Sequence, residues 1–377
     1  MTRSLAPADV VVAGGGLAAA ALALELARRD LTVDLLAGVR VGVPSAPGGP
    51  VAAQAAVEAA PEALADLALL SRHLFPDWLS ALEEETGLPC EYDERGAMTV
   101  ALDDAEEVLL DRALDAQRSR GIHFEVLEPE EARGREPALS ASLQAAFSFP
   151  RDGVARAGRV GRVLALAARA AGVRVHEGNA VHAVALSAGR IAGVETTGGL
   201  LPAEFVVLAG RAGPGRVGGA PRLRFVVSIR PWLRLDAMSD PDRPTRLVRS
   251  RGVTLVPRRD GSILALGRPE PGRLASSPSA GSVAALLSEV QRLVPASSGW
   301  ALVEAGAGRE VSAPDRVPVI GEAAIQGLFV TAGWGADELL LAPAVAALAA
   351  DLVTGRTLPL AAAPFSPGRT GGLTGAE

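Results

Sequence analysis

Three consecutive glycines, Gly14, Gly15 and Gly16, follow the β-branched run Val10-Val11-Val12 and precede an alanine-rich segment that opens at Leu17. This arrangement suits the holding of a phosphate. Gly14 permits a tight turn, Gly16 lets the backbone approach a pyrophosphate, and the helix from Leu17 offers free N–H groups and a positive dipole end. Ala19 stands where the last small residue of such a fingerprint belongs. A glycine triplet alone is a weak signal; its place between a strand and a helix gives it meaning. The charged candidates lie far along the chain, at Arg309, Glu310 and Glu338. Arg309 could grip a substrate carboxylate in a bidentate contact, or pair at the surface with Glu310 or Asp315. Glu310 and Glu338 could hold a cationic amine, or serve as solvated or capping groups. Trp334 could wall a flat ring or pack in the core. His176 and His182 have no metal-ligand companions, so no metal is expected.

The elements that must position these residues read as an α/β chain. Residues 17–29 form the first helix and 32–36 a second parallel strand. An acidic residue usually ends that strand and holds ribose hydroxyls; here the position is Ala37, and Asp34 lies mid-strand. Arg40 leaves open a phosphate-bearing nicotinamide nucleotide. Apolar residues spaced by three and four mark 54–84 as one helix. Residues 204–208 read as a buried parallel strand that returns the chain to its first unit, ending at Ala209 and Gly210. Antiparallel strands are expected over 225–235, 246–257 and 262–267, the last two joined by an Arg-Arg-Asp-Gly turn. A further strand spans 300–310. A last parallel strand, 328–331, leads through Gly333 and Trp334 into a helix beginning near Leu339.

Composition narrows the function classes. The 377 residues, 49% of them hydrophobic, can bury a large core. A net charge of −6 gives no general attraction to nucleic acid or anionic membrane. All 37 basic residues are arginine, which excludes lysine Schiff bases and Walker-type lysines. Cys90 is the one cysteine, read as a packed thiol, and a cytoplasmic location is expected. No apolar run reaches the roughly 18 residues of a membrane helix.

Several stretches together resemble the FAD-dependent D-amino-acid oxidase family, and within it the glycine oxidases of thiamine biosynthesis. They are Gly14-Gly15-Gly16; 75–88 with its Glu-Glu-Glu-Thr-Gly-Leu ending; Val206-Val207-Leu208-Ala209; 256–261; Ala313-Pro314-Asp315 with 318–321; and Leu339-Leu340-Leu341-Ala342-Pro343. The resemblance implies a split FAD-binding, Rossmann-like domain with an inserted α+β substrate domain built on a mostly antiparallel sheet. The implied division assigns 1–87, 148–222 and 305–360 to the FAD-binding part, 88–147 and 223–304 to the substrate part, and 361–377 to a flexible tail. It also implies non-covalent FAD near Gly14, Gly15, Gly16, Leu17, Gly48, Gly49, Val181, Ala209, Gly210, Gly333, Glu338 and Leu339. A small amine or amino acid and oxygen would be the partners. Hydride passes to the flavin in that family, the imine hydrolyses and hydrogen peroxide is released, so no catalytic side chain is required.

The chain departs from the family pattern at ligand positions. Ala37 replaces the ribose-binding acid, and the flavin loop reads Pro47-Gly48-Gly49-Pro50-Val51. Thr254 stands at the substrate tyrosine and Glu310 at the carboxylate-binding arginine, with Arg309 one residue early. A one-residue shift in an extended segment turns a side chain to the other face. Ala336 and Glu338 replace an arginine and a glycine before the last helix. Three readings therefore stand: an FAD-dependent amine or amino-acid oxidase, a degenerate relative that acts as a partner or scaffold, and a nicotinamide reductase relying on Arg40. Oligomeric state is left open, a homo-oligomer included.

Overall fold

The opening strand Ala8–Ala13 lies at the centre of an eight-stranded sheet. Its neighbours are Val33–Ala37 on one side and the long strand Gly199–Ala209 on the other, both parallel to it. Arg174–Glu177 extends the sheet beyond Val33–Ala37, and Leu328–Ala332 extends it beyond Gly199–Ala209. The computed structural model describes residues 7–44, 48–56, 60–210, 217–272, 277–357 and 360–370. Pro47 of the flavin loop, Arg211 and the last seven residues of the expected tail therefore lie outside the described residues.

The central strands are largely apolar because helices cover them. Nine of the eleven residues of the opening helix, Leu17–Ala27, are buried, and so are thirteen of the seventeen of the closing helix, Glu338–Thr354. Alanine on both surfaces lets these two helices approach closely. A second close approach joins the loop at Gly42 to the helix Ala157–Ala170. A Cβ on Gly161 would collide with the Gly42 carbonyl, and the reverse collision would occur from Gly42. Buried Asp34 accepts two hydrogen bonds from Arg174 at 2.8 Å each and lies 2.7 Å from His176 Nε2, so it ties two strands together. It serves no ribose.

The second sheet has nine strands and is mostly antiparallel. Val226–Asp236 is its spine, paired with Ala301–Ser312 on one edge and with Ser262–Leu266 and Glu270–Pro271 on the other. Thr254–Pro257 and Leu247–Arg249 follow, and then Ala97–Ala101 and Ala145–Phe149.

Several expectations need correction. The single strand 246–257 is two strands, Leu247–Arg249 and Thr254–Pro257, paired antiparallel around a turn at 250–253. The single helix 54–84 is two, Ala53–Ala56 and Glu62–Thr86, the second starting just after Pro61, whose fixed φ suits a helix start. The division at 304/305 falls inside Ala301–Ser312, which stays in the nine-stranded sheet to its end. Residues 361–370 are not a frayed end: Phe365 is buried, and Arg369 bonds Asp315 at 2.8 Å and the Pro318 carbonyl at 3.0 Å.

Candidate active site

The two sheets meet at a cavity of about 480 Å³, within the roughly 300–1,000 Å³ range of small-molecule sites. Leu17, Gly48, Gly49, Gly333, Trp334, Glu338 and Leu339 line it from the side of the eight-stranded sheet, and Thr254 and Glu310 from the other. The expected residues thus converge, with instructive exceptions. Gly14, Gly15, Gly16, Val181, Ala209 and Gly210 are not among the residues that line it. Gly14 is pressed on the end of its parallel neighbour, where a Cβ would collide with the Ala209 carbonyl, and its N–H bonds Leu36 O at 2.8 Å. Gly15 O accepts the Gly42 N–H at 2.9 Å. Val181 begins the strand Val181–Ser187, and Gly210 donates to Thr331 O at 3.0 Å.

The largest correction concerns Arg309. Val226, Ser228 and Arg230 on one strand, and Glu310 and Ser312 on its partner, all face the cavity. Side chains alternate along a strand, so Arg309, paired with Ile229, points to the opposite face. The one irregularity in this pairing lies between Arg234 and Leu235, too far away to restore its direction. Arg309 Nε is buried without a hydrogen-bond partner. No substrate carboxylate in the cavity can reach it from that face.

Charges that the sequence did not single out take its place. Arg230 forms an ion pair with buried Glu310 and donates to Gly267 O at 2.7 Å. Burial pushes the Glu310 carboxyl up from its ordinary range, and the Arg230 guanidinium opposes that shift. Arg249 also lines the cavity, and its guanidinium donates no hydrogen bond among the described residues. It lies directly across from Thr254 in the antiparallel pair, so both side chains share one face. Asp337, at the start of the closing helix, lines the cavity with its side chain exposed there; the surrounding protein raises its carboxyl from the ordinary range, against the pull of Arg230, Arg249 and Arg316. The Ala-Asp-Glu sequence before an apolar helix is a capping signal that hid a cavity carboxylate. Arg230 and Arg249 carried no local signal, because only cross-strand pairing brings them to the cavity.

A flavin dinucleotide makes three demands on this site. It needs bare backbone near its ring system, which Gly48, Gly49 and Gly333 provide; a Cβ on Gly49 would collide with Ala155 O. It needs a flat apolar wall, which Trp334 and Leu339 help to form; Trp334 Nε1 itself is shut off from the cavity, a buried N–H without a partner among the described residues. It needs an anion seat at the opening helix. That seat exists: Leu17 N donates at 2.8 Å to a carboxylate oxygen, although the carboxylate is Glu338 of the same chain. The residues fit FAD, with Ala37 leaving its ribose without an acidic partner. The described residues hold no cluster of three or more His, Cys, Asp or Glu able to bind a metal, and no helix among them is long and apolar enough to cross a membrane.

Comparisons with known proteins agree with this geometry over almost the whole chain. Glycine oxidase of Geobacillus kaustophilus (strain HTA426) is 32% identical, covering 98% of this chain and 99% of that one. Glycine oxidase of Pseudomonas aeruginosa is 30% identical over 95% of this chain and 98% of its own. The crystal structure of the Geobacillus kaustophilus glycine oxidase superposes with a TM-score of 0.89 at 30% identity, covering 97% and 99% of the two chains. The family described as DAO, FAD dependent oxidoreductase, matches residues 9–352. The chain belongs to this family of FAD-dependent oxidoreductases.

Proposed function

We propose that the cavity oxidises a small α-amino acid bound as its zwitterion, releasing the imine and hydrogen peroxide. The observation that carries this reading is the placement of Arg249. It lines the cavity, its guanidinium makes no hydrogen bond among the described residues, and Thr254 is its cross-strand neighbour. The substrate carboxylate is held by the Arg249 guanidinium and the Thr254 hydroxyl. Threonine at this position is short, which leaves room for the long arginine beside it. Arg230 is committed to Glu310 and keeps that buried carboxylate from carrying an uncompensated charge. Asp337 supplies a negative charge for the substrate nitrogen.

FAD, when bound, supplies the two-electron acceptor for the substrate hydride. The chain's contribution is to bind, orient and keep water out: Leu266, Leu339, Leu340 and Trp334 make the apolar wall against which the substrate carbon is held. Holding a reactant in the right pose can supply several kcal/mol of the barrier. The glycine oxidase relatives support a substrate of this size. A cytoplasmic setting belongs to the same reading and is supported by the single buried thiol of Cys90, which burial pushes up to about 12. The division into a FAD-binding part and a substrate part is likewise proposed, with the boundary after Ser312 rather than at 304. One contact, Glu338 on Leu17, favours the second reading of a relative without cofactor, and FAD titration separates the two.

The test is substitution of Arg249. Losing a charge-assisted grip of about 1.5–3 kcal/mol raises KM for glycine or alanine by about 10- to 150-fold in Arg249→Leu, with kcat changed less, while Arg309→Leu leaves KM where it was. An unchanged KM in Arg249→Leu removes the proposed carboxylate contact.

A further inference from the structure

Glu338 leaves the first turn of the closing helix and reaches the start of the opening helix, where its Oε1 accepts the Leu17 N–H at 2.8 Å. The carboxylate is buried, and a Cβ on Gly16 would collide with it. The bareness of the third glycine thus serves a carboxylate of the chain itself. The opening helix has no acidic residue in its first turn and no side-chain cap from Gly16. Glu338, from 321 residues away in sequence, supplies the missing negative charge. It satisfies one of the four N–H groups that a helix start leaves unpaired and complements the positive end of the dipole.

The same N–H is the one a glycine turn offers to a diphosphate. Two anions cannot share it, since like charges in contact repel and this carboxylate is buried. We propose that Glu338 is a built-in stand-in for the diphosphate of FAD, holding the two helices together in the cofactor-free protein and swinging away when FAD seats. FAD affinity is then set by the exchange of one anion for another. A turn with nothing bound would take up FAD more tightly. Room for the displaced carboxylate is at hand: Glu338 lines the cavity, and Arg230, Arg249 and Arg316 line it too. This inference rests on the FAD reading above.

The test is equilibrium titration of FAD into the cofactor-free full chain, as wild type, Glu338→Gly and Glu338→Gln, with thermal melting of each before and after FAD. Glu338→Gly is expected to melt below wild type without FAD and to bind FAD at least tenfold more tightly. Its melting shift on FAD addition should also exceed that of wild type. Glu338→Gln keeps a side-chain oxygen for Leu17 N without the charge; it should retain the fold and bind FAD severalfold more tightly than wild type, so it decides the matter if the glycine variant does not fold. Equal FAD affinity across the three proteins overturns the inference and leaves the FAD reading intact. Weaker binding in both variants also overturns it, making Glu338 a contact of the cofactor. No binding by any of the three overturns both.

Discussion

Asp337 and Glu310 share a cavity with three arginines, and both carboxyls are raised above their ordinary range by lost solvent, Glu310 as a buried group and Asp337 as one exposed only to the cavity. A carboxyl whose folded pKa is raised holds its proton more tightly in the native state than in the unfolded chain. Native stability therefore gains from acidification through the folded value, and above it the charged form is a burden on the fold. Asp337→Asn is expected to raise Tm only slightly near neutral pH, since cavity water screens the charge, with the difference shrinking as pH falls toward the ordinary aspartate value of about 3.9. The same substitution should raise KM for an amino acid, because the positive nitrogen loses its counter-charge. Wild-type kcat/KM should fall on acidification at a pH above the ordinary carboxylate range. Melting curves and pH profiles of the two proteins check this, and a lowered Tm in the variant would contradict it. Glu310 is a poor site for the same experiment. Removing one partner of its buried pair strands Arg230, at a cost of about 3–5 kcal/mol that would swamp the titration effect.

At the scale of elements, the opening unit depends on backbone contacts that leave no space for side chains. Gly42 and Gly161 lie carbonyl to Cα between a loop and the helix Ala157–Ala170. Gly161→Ala should destabilise the fold by about 1–3 kcal/mol or more, the usual range for forcing a group into a packed interior, as read from urea unfolding; an unchanged midpoint would show that the contact gives way. The strand, turn and helix that begin the fold were legible in the sequence, because β-branched and alanine-rich runs meet at glycines. The pair Leu247–Arg249 and Thr254–Pro257 was not, since a continuous extended reading passed over the turn signal at Gly252. That omission concealed Arg249. Arg230 and Glu310 are 80 residues apart and meet only through strand pairing, a register that no local pattern discloses. Arg309 was misplaced for the complementary reason: its type suited a carboxylate, but the alternation of Ala301–Ser312 turns it away. Glu338 was read as a departure at a flavin position; its bond to Leu17 N needed the helix arrangement to be seen.

On the scale of the whole molecule, the cavity exists because two sheets meet there, the parallel one bringing the glycine turn and the antiparallel one bringing charge. The C-terminal segment closes the assembly. Phe365 is buried, and Arg369 fixes Asp315 beside Pro314 and Arg316, which line the cavity. Full-length similarity to glycine oxidases and a matching fold place FAD-dependent oxidation on this scaffold, and the proposed function assigns substrate recognition to the strand ending at Arg249 rather than to Ala301–Ser312. The most direct measurement is the visible spectrum of the FAD-loaded protein mixed with glycine or alanine without oxygen, and then with air. The account predicts loss of the flavin absorption on mixing and its return with one hydrogen peroxide per amino acid consumed. A loaded protein that keeps its colour with every small amino acid and amine would contradict it.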